Sequence, residues 1–221
     1  MLRRQTLAIA GTAIVYALIG MATARPQEYA RTAATEPWEP CGECHNLDGI
    51  SANGHFPHLA GQRAAYIEKE LIDFQSGARA NDHGQMGVAS RTLGPKERAV
   101  VARHFAGLPD PMPQLLDLNP TDGKRAATLV AMGDRAAKIP ACNSCHGVRG
   151  KRNFTGPRLE AQQAAYLAKE LADFRAGRRT NDRNRVMQLV AKRLSEAEIT
   201  AVAAYLATRP RDTPAKLAGR R

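Results

Sequence analysis

The pentapeptide Cys-x-x-Cys-His occurs twice in this 221-residue chain, as Cys41-Gly-Glu-Cys44-His45 and Cys142-Asn-Ser-Cys145-His146, 101 positions apart. These two segments hold all four cysteines. The sequence around them repeats as well. Residues 62–82, QRAAYIEKELIDFQSGARAND, match 162–182, QQAAYLAKELADFRAGRRTND, at 13 of 21 positions, and Met86/Met187 and Leu93/Leu194 return at the offset of 101. His45 to Met86 and His146 to Met187 are both 41 residues. The chain is therefore a tandem duplication of one small unit, and its length suits two such lobes.

Each copy reads as helical. Ala64, Ile67, Leu71 and Phe74 form one apolar stripe, as do Ala164, Leu167, Leu171 and Phe174. Gly77 and Gly177 stand where a left-handed C′ residue would end the helix. Ser195 and Glu198 have capping-box spacing ahead of Ile199, Val202 and Leu206. The matching helix of the first copy starts with Pro95 at N1 and runs through Val101 and Phe105 to Leu108. No alternating β pattern is present, so the fold class is all-α: two helical domains in tandem. Pro109, Pro111 and Pro113 mark a linker. The expected organisation is a first domain over 25–108, a linker over 109–122, a second domain over 123–209 with a leading helix at about 123–137, and a mobile basic tail over 210–221. Pro26, Pro37 and Pro40 leave the first copy without a clear leading helix, and His104 replaces the second copy's Tyr205 in its last helix. The first lobe should be the less regular one. Trp38, in the proline-rich segment, either covers a cofactor edge or anchors that segment.

Local disulfides would need only the cysteines, yet histidine follows both pairs. A four-cysteine zinc site would have to span the 97 residues between Cys44 and Cys142, against the short spacings usual for zinc ribbons. A thioredoxin-like redox pair needs a βαβ context that is absent. Covalent haem c attachment remains: Cys41 and Cys44 would hold one porphyrin by thioethers, Cys142 and Cys145 another, each adjacent histidine facing its iron. Two haems would also supply apolar bulk to a chain with only 5% aromatic residues.

With these motifs the chain resembles the dihaem cytochrome c₄ family, two fused class I cytochrome c domains, over about residues 38–209. The Gly-Gln-Arg-Ala-Ala-Tyr-Ile run at 61–67 and Phe-x-x-Gly-x-Arg at 74–79 and 174–179 carry the resemblance further. It implies that Pro57 and Pro157 hold the proximal imidazoles of His45 and His146 through their carbonyls, and that Met86 and Met187 are the distal iron ligands. His55, His58 and His83 are rival ligands at the first haem; His58 and His83 align with Arg158 and Arg183, which places them at a haem edge or the surface. Met112 and Met132 have no counterpart in the other copy and read as core filler. His/Met ligation fills both axial positions and raises the reduction potential relative to His/His. It implies outer-sphere electron transfer, with no small-molecule substrate at the iron and no catalytic residues: a carrier between a respiratory donor and an acceptor such as an oxidase. The alternatives are the cytochrome subunit of a dehydrogenase complex, such as a sulfide-oxidising flavocytochrome, and an enzyme or sensor at an opened haem.

Arg3 and Arg4, the apolar run from Leu7 to Met21 and Ala22-Thr23-Ala24 read as a secretory signal peptide over 1–24, with a retained N-terminal anchor as the alternative. Export to the periplasm agrees with haem c attachment and removes nucleic acid as a partner. The formal charge of +11 is uneven. Residues 25–110 carry 9 basic and 11 acidic side chains, residues 111–221 carry 21 and 10. The second lobe should dock on an anionic redox protein, or on a membrane surface, through Lys151, Arg152, Arg175, Arg178, Arg179, Arg183 and Arg185. The same field should raise the second haem's potential.

Overall fold

Two apolar stripes at helical spacing need two surfaces to cover them, and each lobe answers with a helix from its own C-terminal end. The computed structural model describes residues 36–147 and 156–211; the expected signal peptide, Lys151, Arg152 and the tail beyond Arg211 lie outside them. The first lobe runs through α1 (Gly42–His45), α2 (Ala64–Ser76), α3 (Gln85–Ala89) and α4 (Pro95–Gly107). The second runs through α5 (Pro120–Ala131), α6 (Asn143–His146), α7 (Ala164–Ala176), α8 (Val186–Ala191) and α9 (Glu196–Ala207). No β-strand occurs among the described residues, apart from an isolated bridge between Asp134 and Ile139.

In the first lobe α2 packs on α4, burying Ile67 and Leu71 against Val101, Ala102 and Phe105. In the second, α9 packs on both α5 and α7, burying Leu129 and Val130 with Leu167, Ile199, Val202 and Leu206. Gly77 (φ 75°) and Gly177 (φ 73°) end α2 and α7 in the left-handed region, where a side chain would strain the backbone. The Ser195–Glu198 capping box at α9 is complete. The leading helix of the second lobe starts earlier and stops earlier than the 123–137 expectation. Asn119 caps it, accepting from the Thr121 and Asp122 amides, with Pro120 at N1. After Met132 the chain turns away at Gly133 (φ 73°).

The first lobe is the less regular, as expected. Residues 36–38 are non-helical, and a 3₁₀ turn over Glu39–Cys41 leads into α1. Trp38 stacks on His104 of α4 with ring centroids 4.1 Å apart and planes 6° apart. It thus anchors the segment, doing with one ring pair what α5 does against α9 with a helix. Met112 (82% exposed) and Met132 (72% exposed) are not core residues; the linker and the α5 C-terminus hold them outside both clusters. Residues 109–119 carry no regular secondary structure.

The lobes meet along a polar seam with a local twofold pattern. Arg79 bonds Glu70 of its own lobe (2.6 Å) and Glu170 of the other (3.0 Å). Arg179 does the reverse, bonding Glu170 (2.7 Å) and Glu70 (3.1 Å). Arg79 donates to the Tyr166 hydroxyl and Arg179 to that of Tyr66. Asn81 donates to Asp173 and Asn181 to Asp73; Lys69 reaches the Asn181 carbonyl and Lys169 that of Asn81. Farther along, the Gln162 amide brackets the backbone of His58, and the Gln62 amide that of Arg158. Burial pushes the Glu70 carboxyl up, but the Arg179 and Arg79 guanidiniums outweigh it and, with Lys69, hold it down to about 2. The same balance lowers Glu170.

This seam corrects three expectations. Arg179 is 6% exposed and ion-paired between the lobes, so it is no part of a docking surface. His58 and Arg158 line the seam rather than an outer face, because each lobe's proximal loop is turned toward the other. Arg211, counted with the tail, is 4% exposed: it donates to the Ala60 and Glu160 carbonyls and pairs with Asp110, tying this residue of the second lobe to the first.

Candidate functional site

The two Cys-x-x-Cys-His segments form the short helices α1 and α6, which bring both cysteines and the histidine of each onto one turn. His45 and His146 are buried. His45 Nδ1 lies 2.9 Å from the Pro57 carbonyl oxygen, and His146 Nδ1 lies 3.0 Å from that of Pro157. A carbonyl only accepts, so each ring carries its proton on Nδ1 and keeps its basic lone pair at Nε2. Burial pushes both imidazoles below their ordinary value; the carbonyl bond opposes this in each, and Arg63 adds to the lowering at His146. Neutral, oriented rings of this kind are what an iron needs.

The thiols fit the same group and fit the alternatives poorly. All four are unbridged by disulfides. Burial raises the Cys41 thiol, and raises Cys142 to about 11, the reverse of the lowering that makes a Cys-x-x-Cys pair redox-active. Among the described residues no three His, Cys, Asp or Glu side chains gather where they could hold a metal ion, so a four-cysteine zinc site is not assembled.

Met86 lies on α3, partly buried and packed on the first lobe's core cluster; Met187 lies on α8 and is also partly buried. Sequence reasoning missed what fixes them. The Met86 amide donates to Asp82 (2.6 Å), and the Met187 amide to Asp182 (2.7 Å). Asp182 also takes the amide and the side chain of Gln188. The identity of Asp82 and Asp182 within the repeat was the available signal. Of the rival first-lobe histidines, His55 and His83 are exposed. His58 is buried next to Pro57, in the loop that holds the His45 ring, and burial and nearby Arg211 push it down to about 4.

Two helical lobes, each presenting a buried imidazole fixed through Nδ1 beside a Cys-x-x-Cys turn, define a dihaem c-type cytochrome. The Cytochrome c family model matches residues 124–210. Cytochrome c4 of Azotobacter vinelandii is 35% identical over 176 residues, covering 75% of this chain and 82% of the relative. A thiosulfate dehydrogenase electron acceptor of Stutzerimonas stutzeri is 36% identical over 182 residues, 81% of this chain and 83% of that protein. The crystal structure of reduced recombinant cytochrome c4 from Pseudomonas stutzeri superposes with a TM-score of 0.69 at 33% identity, over 77% of this chain and 93% of that one. The chain belongs to the cytochrome c4 family. It carries two covalent haem c groups on its two Cys-x-x-Cys-His motifs and transfers electrons without being an enzyme.

Proposed function

We propose that this chain is a periplasmic carrier of single electrons, in which His45 and Met86 would hold the iron of one haem and His146 and Met187 that of the other. The observation that carries this reading is the repeated proximal geometry: two buried imidazoles held through Nδ1 by a proline carbonyl, with a methionine at the same spacing in both lobes. The haem supplies the one-electron couple. The protein's residues do the rest: Pro57 and Pro157 orient the rings, Asp82 and Asp182 fix the methionine-bearing helices, and the lobe cores exclude water. No helix among the described residues is long and apolar enough to cross a membrane. The near-infrared spectrum of the ferric protein, normalised to haem, tests the ligands. Two equivalents of the methionine–iron charge-transfer band are expected; one or none would overturn the assignment.

The partner-facing side of the second lobe is the α8 end. Val186 and Leu189 are exposed there, with Arg183, Arg185, Lys192 and Arg193 exposed around them. Arg175 and Arg178 contribute less, since Glu196 and Asp173 pair with them. An apolar patch rimmed by cations suits an acidic redox protein. Arg183→Glu/Arg185→Glu should slow electron exchange with such a partner and flatten its dependence on ionic strength; unchanged kinetics would reject this face. Similarity to a thiosulfate dehydrogenase electron acceptor supports a dehydrogenase as donor, and stoichiometric co-purification with a flavoprotein would instead favour the subunit reading.

A further inference from the structure

At the start of α2 and α7 the two lobes differ by one residue. Arg63 is the N-cap of α2, and Gln163 is the N-cap of α7. Both side chains cross the seam. Gln163 Nε2 donates to the Ser51 carbonyl (2.7 Å), within the first lobe's loop between His45 and Pro57; Ser51 in turn bonds the Cys44 carbonyl (3.0 Å). Arg63 does more in the opposite direction. Its Nη1 donates to Gly156 O (2.8 Å) and its Nη2 to Gly147 O (3.2 Å). Gly147 follows His146 directly, and Gly156 directly precedes Pro157, whose carbonyl holds the His146 ring. One planar fork from the first lobe therefore joins Gly147, next to His146, to Gly156, next to Pro157. It also brings a permanent charge, where the reciprocal position in the first lobe receives a neutral amide.

We propose that Arg63 is a positioning residue for the second haem, supplied by the other lobe: it ties Gly147, beside His146, to Gly156, beside Pro157, and holds a positive charge there that favours the ferrous state of the second haem over the first. This rests on His146 being the proximal ligand. When one electron enters ferric haem no bond or proton need change, so the iron site simply becomes less positive by one charge. A fixed cation close by stabilises that lower charge, most strongly where burial limits screening. Arg158 adds to the positive field and Glu160 opposes it at the same place.

The test uses the full-length dihaem protein with Arg63→Gln, which copies the sister lobe, and Arg63→Lys, which keeps the charge and loses the fork. Site-resolved redox titration, with the haems distinguished by their paramagnetically shifted proton resonances, reads the equilibrium for sharing one electron between them. Arg63→Gln should shift that equilibrium about tenfold toward the first haem, about 59 mV for a one-electron couple. Arg63→Lys should preserve the equilibrium while displacing the His146 ring resonances. A shift under about twofold in Arg63→Gln, or an equal fall at both haems, would overturn the inference. Absence of histidine resonances at the second haem of the unsubstituted protein would instead remove the ligand assignment on which it rests.

Discussion

Replacing Glu70 by glutamine tests whether charge, rather than shape, holds the seam. The carboxylate is 8% exposed at its side chain and faces Arg79 at 2.6 Å, Arg179 at 3.1 Å and Lys69 at 2.9 Å. Its pKa is lowered from 4.5 to about 2, which corresponds to about 3 kcal/mol of native-state stability at pH 7. Because the folded value is depressed, that contribution is complete above pH 4.5 and disappears as pH falls through about 2. Glutamine keeps the outline and one acceptor oxygen but leaves two guanidiniums sharing only Glu170. The expected cost is about 3 kcal/mol, at the lower end of the 3–5 kcal/mol for breaking a buried pair. With a urea slope of about 1–3 kcal/mol/M, the unfolding midpoint should drop by about 1–3 M at pH 7. Circular dichroism of the ferric protein reads it. The difference from the unsubstituted protein should fall to less than half by about pH 3. A midpoint within about 0.3 M of the original would mean that desolvation cancels the attraction, and the seam would then owe its stability to packing.

Phe105→Ala should cost about 3–5 kcal/mol, since Phe105 is 0% exposed among Ile67, Leu71 and Val101; a loss under about 1 kcal/mol in the same titration would show that the first-lobe core collapses to fill the space. Trp38→Ala removes the ring stack on His104, worth about 0.5–1.5 kcal/mol beyond the area lost. Amide hydrogen exchange over residues 36–45 should accelerate while α9 keeps its protection, and equal acceleration in both would refute a local role. Asp182→Ala frees the Met187 and Gln188 amides, so ferrous Asp182→Ala protein should bind carbon monoxide at neutral pH faster than the unsubstituted protein. Identical binding would show that Asp182 does not hold the distal side.

Much of each lobe was legible because its determinants are local. The α2 and α7 stripes, the Gly77 and Gly177 stops and the Ser195 box are patterns within one turn or one face of a helix. The Cys-x-x-Cys-His turns place their own chemistry for the same reason. The seam was not read, because Glu70, Arg79, Asn81 and Arg179 look like solvated surface until their partners about a hundred residues away are known. One signal was there. Lys69, Glu70, Asp73, Arg79, Asn81 and Asp82 all recur in the second copy, although charged surface positions usually drift after duplication. A twofold contact forbids that drift, since each residue and its copy do the same work on opposite sides. Arg211 was misplaced for a related reason: five basic residues and two prolines over 209–221 resemble a tail, and burial depended on Asp110 and two carbonyls elsewhere.

The Glu70–Arg79–Asn81 part of the seam is self-complementary, and that part cannot tell its sister lobe from the same lobe on another molecule. What favours closure within one chain is the connection over residues 109–119. A short tether presents the second face to the first at an effective concentration on the order of millimolar. Dilute protein should therefore remain monomeric by mass action alone, and crowding it toward that concentration would let lobes exchange between chains through the same contacts. Cutting the tether would convert a unimolecular closure into a bimolecular association and expose the intrinsic affinity of the seam.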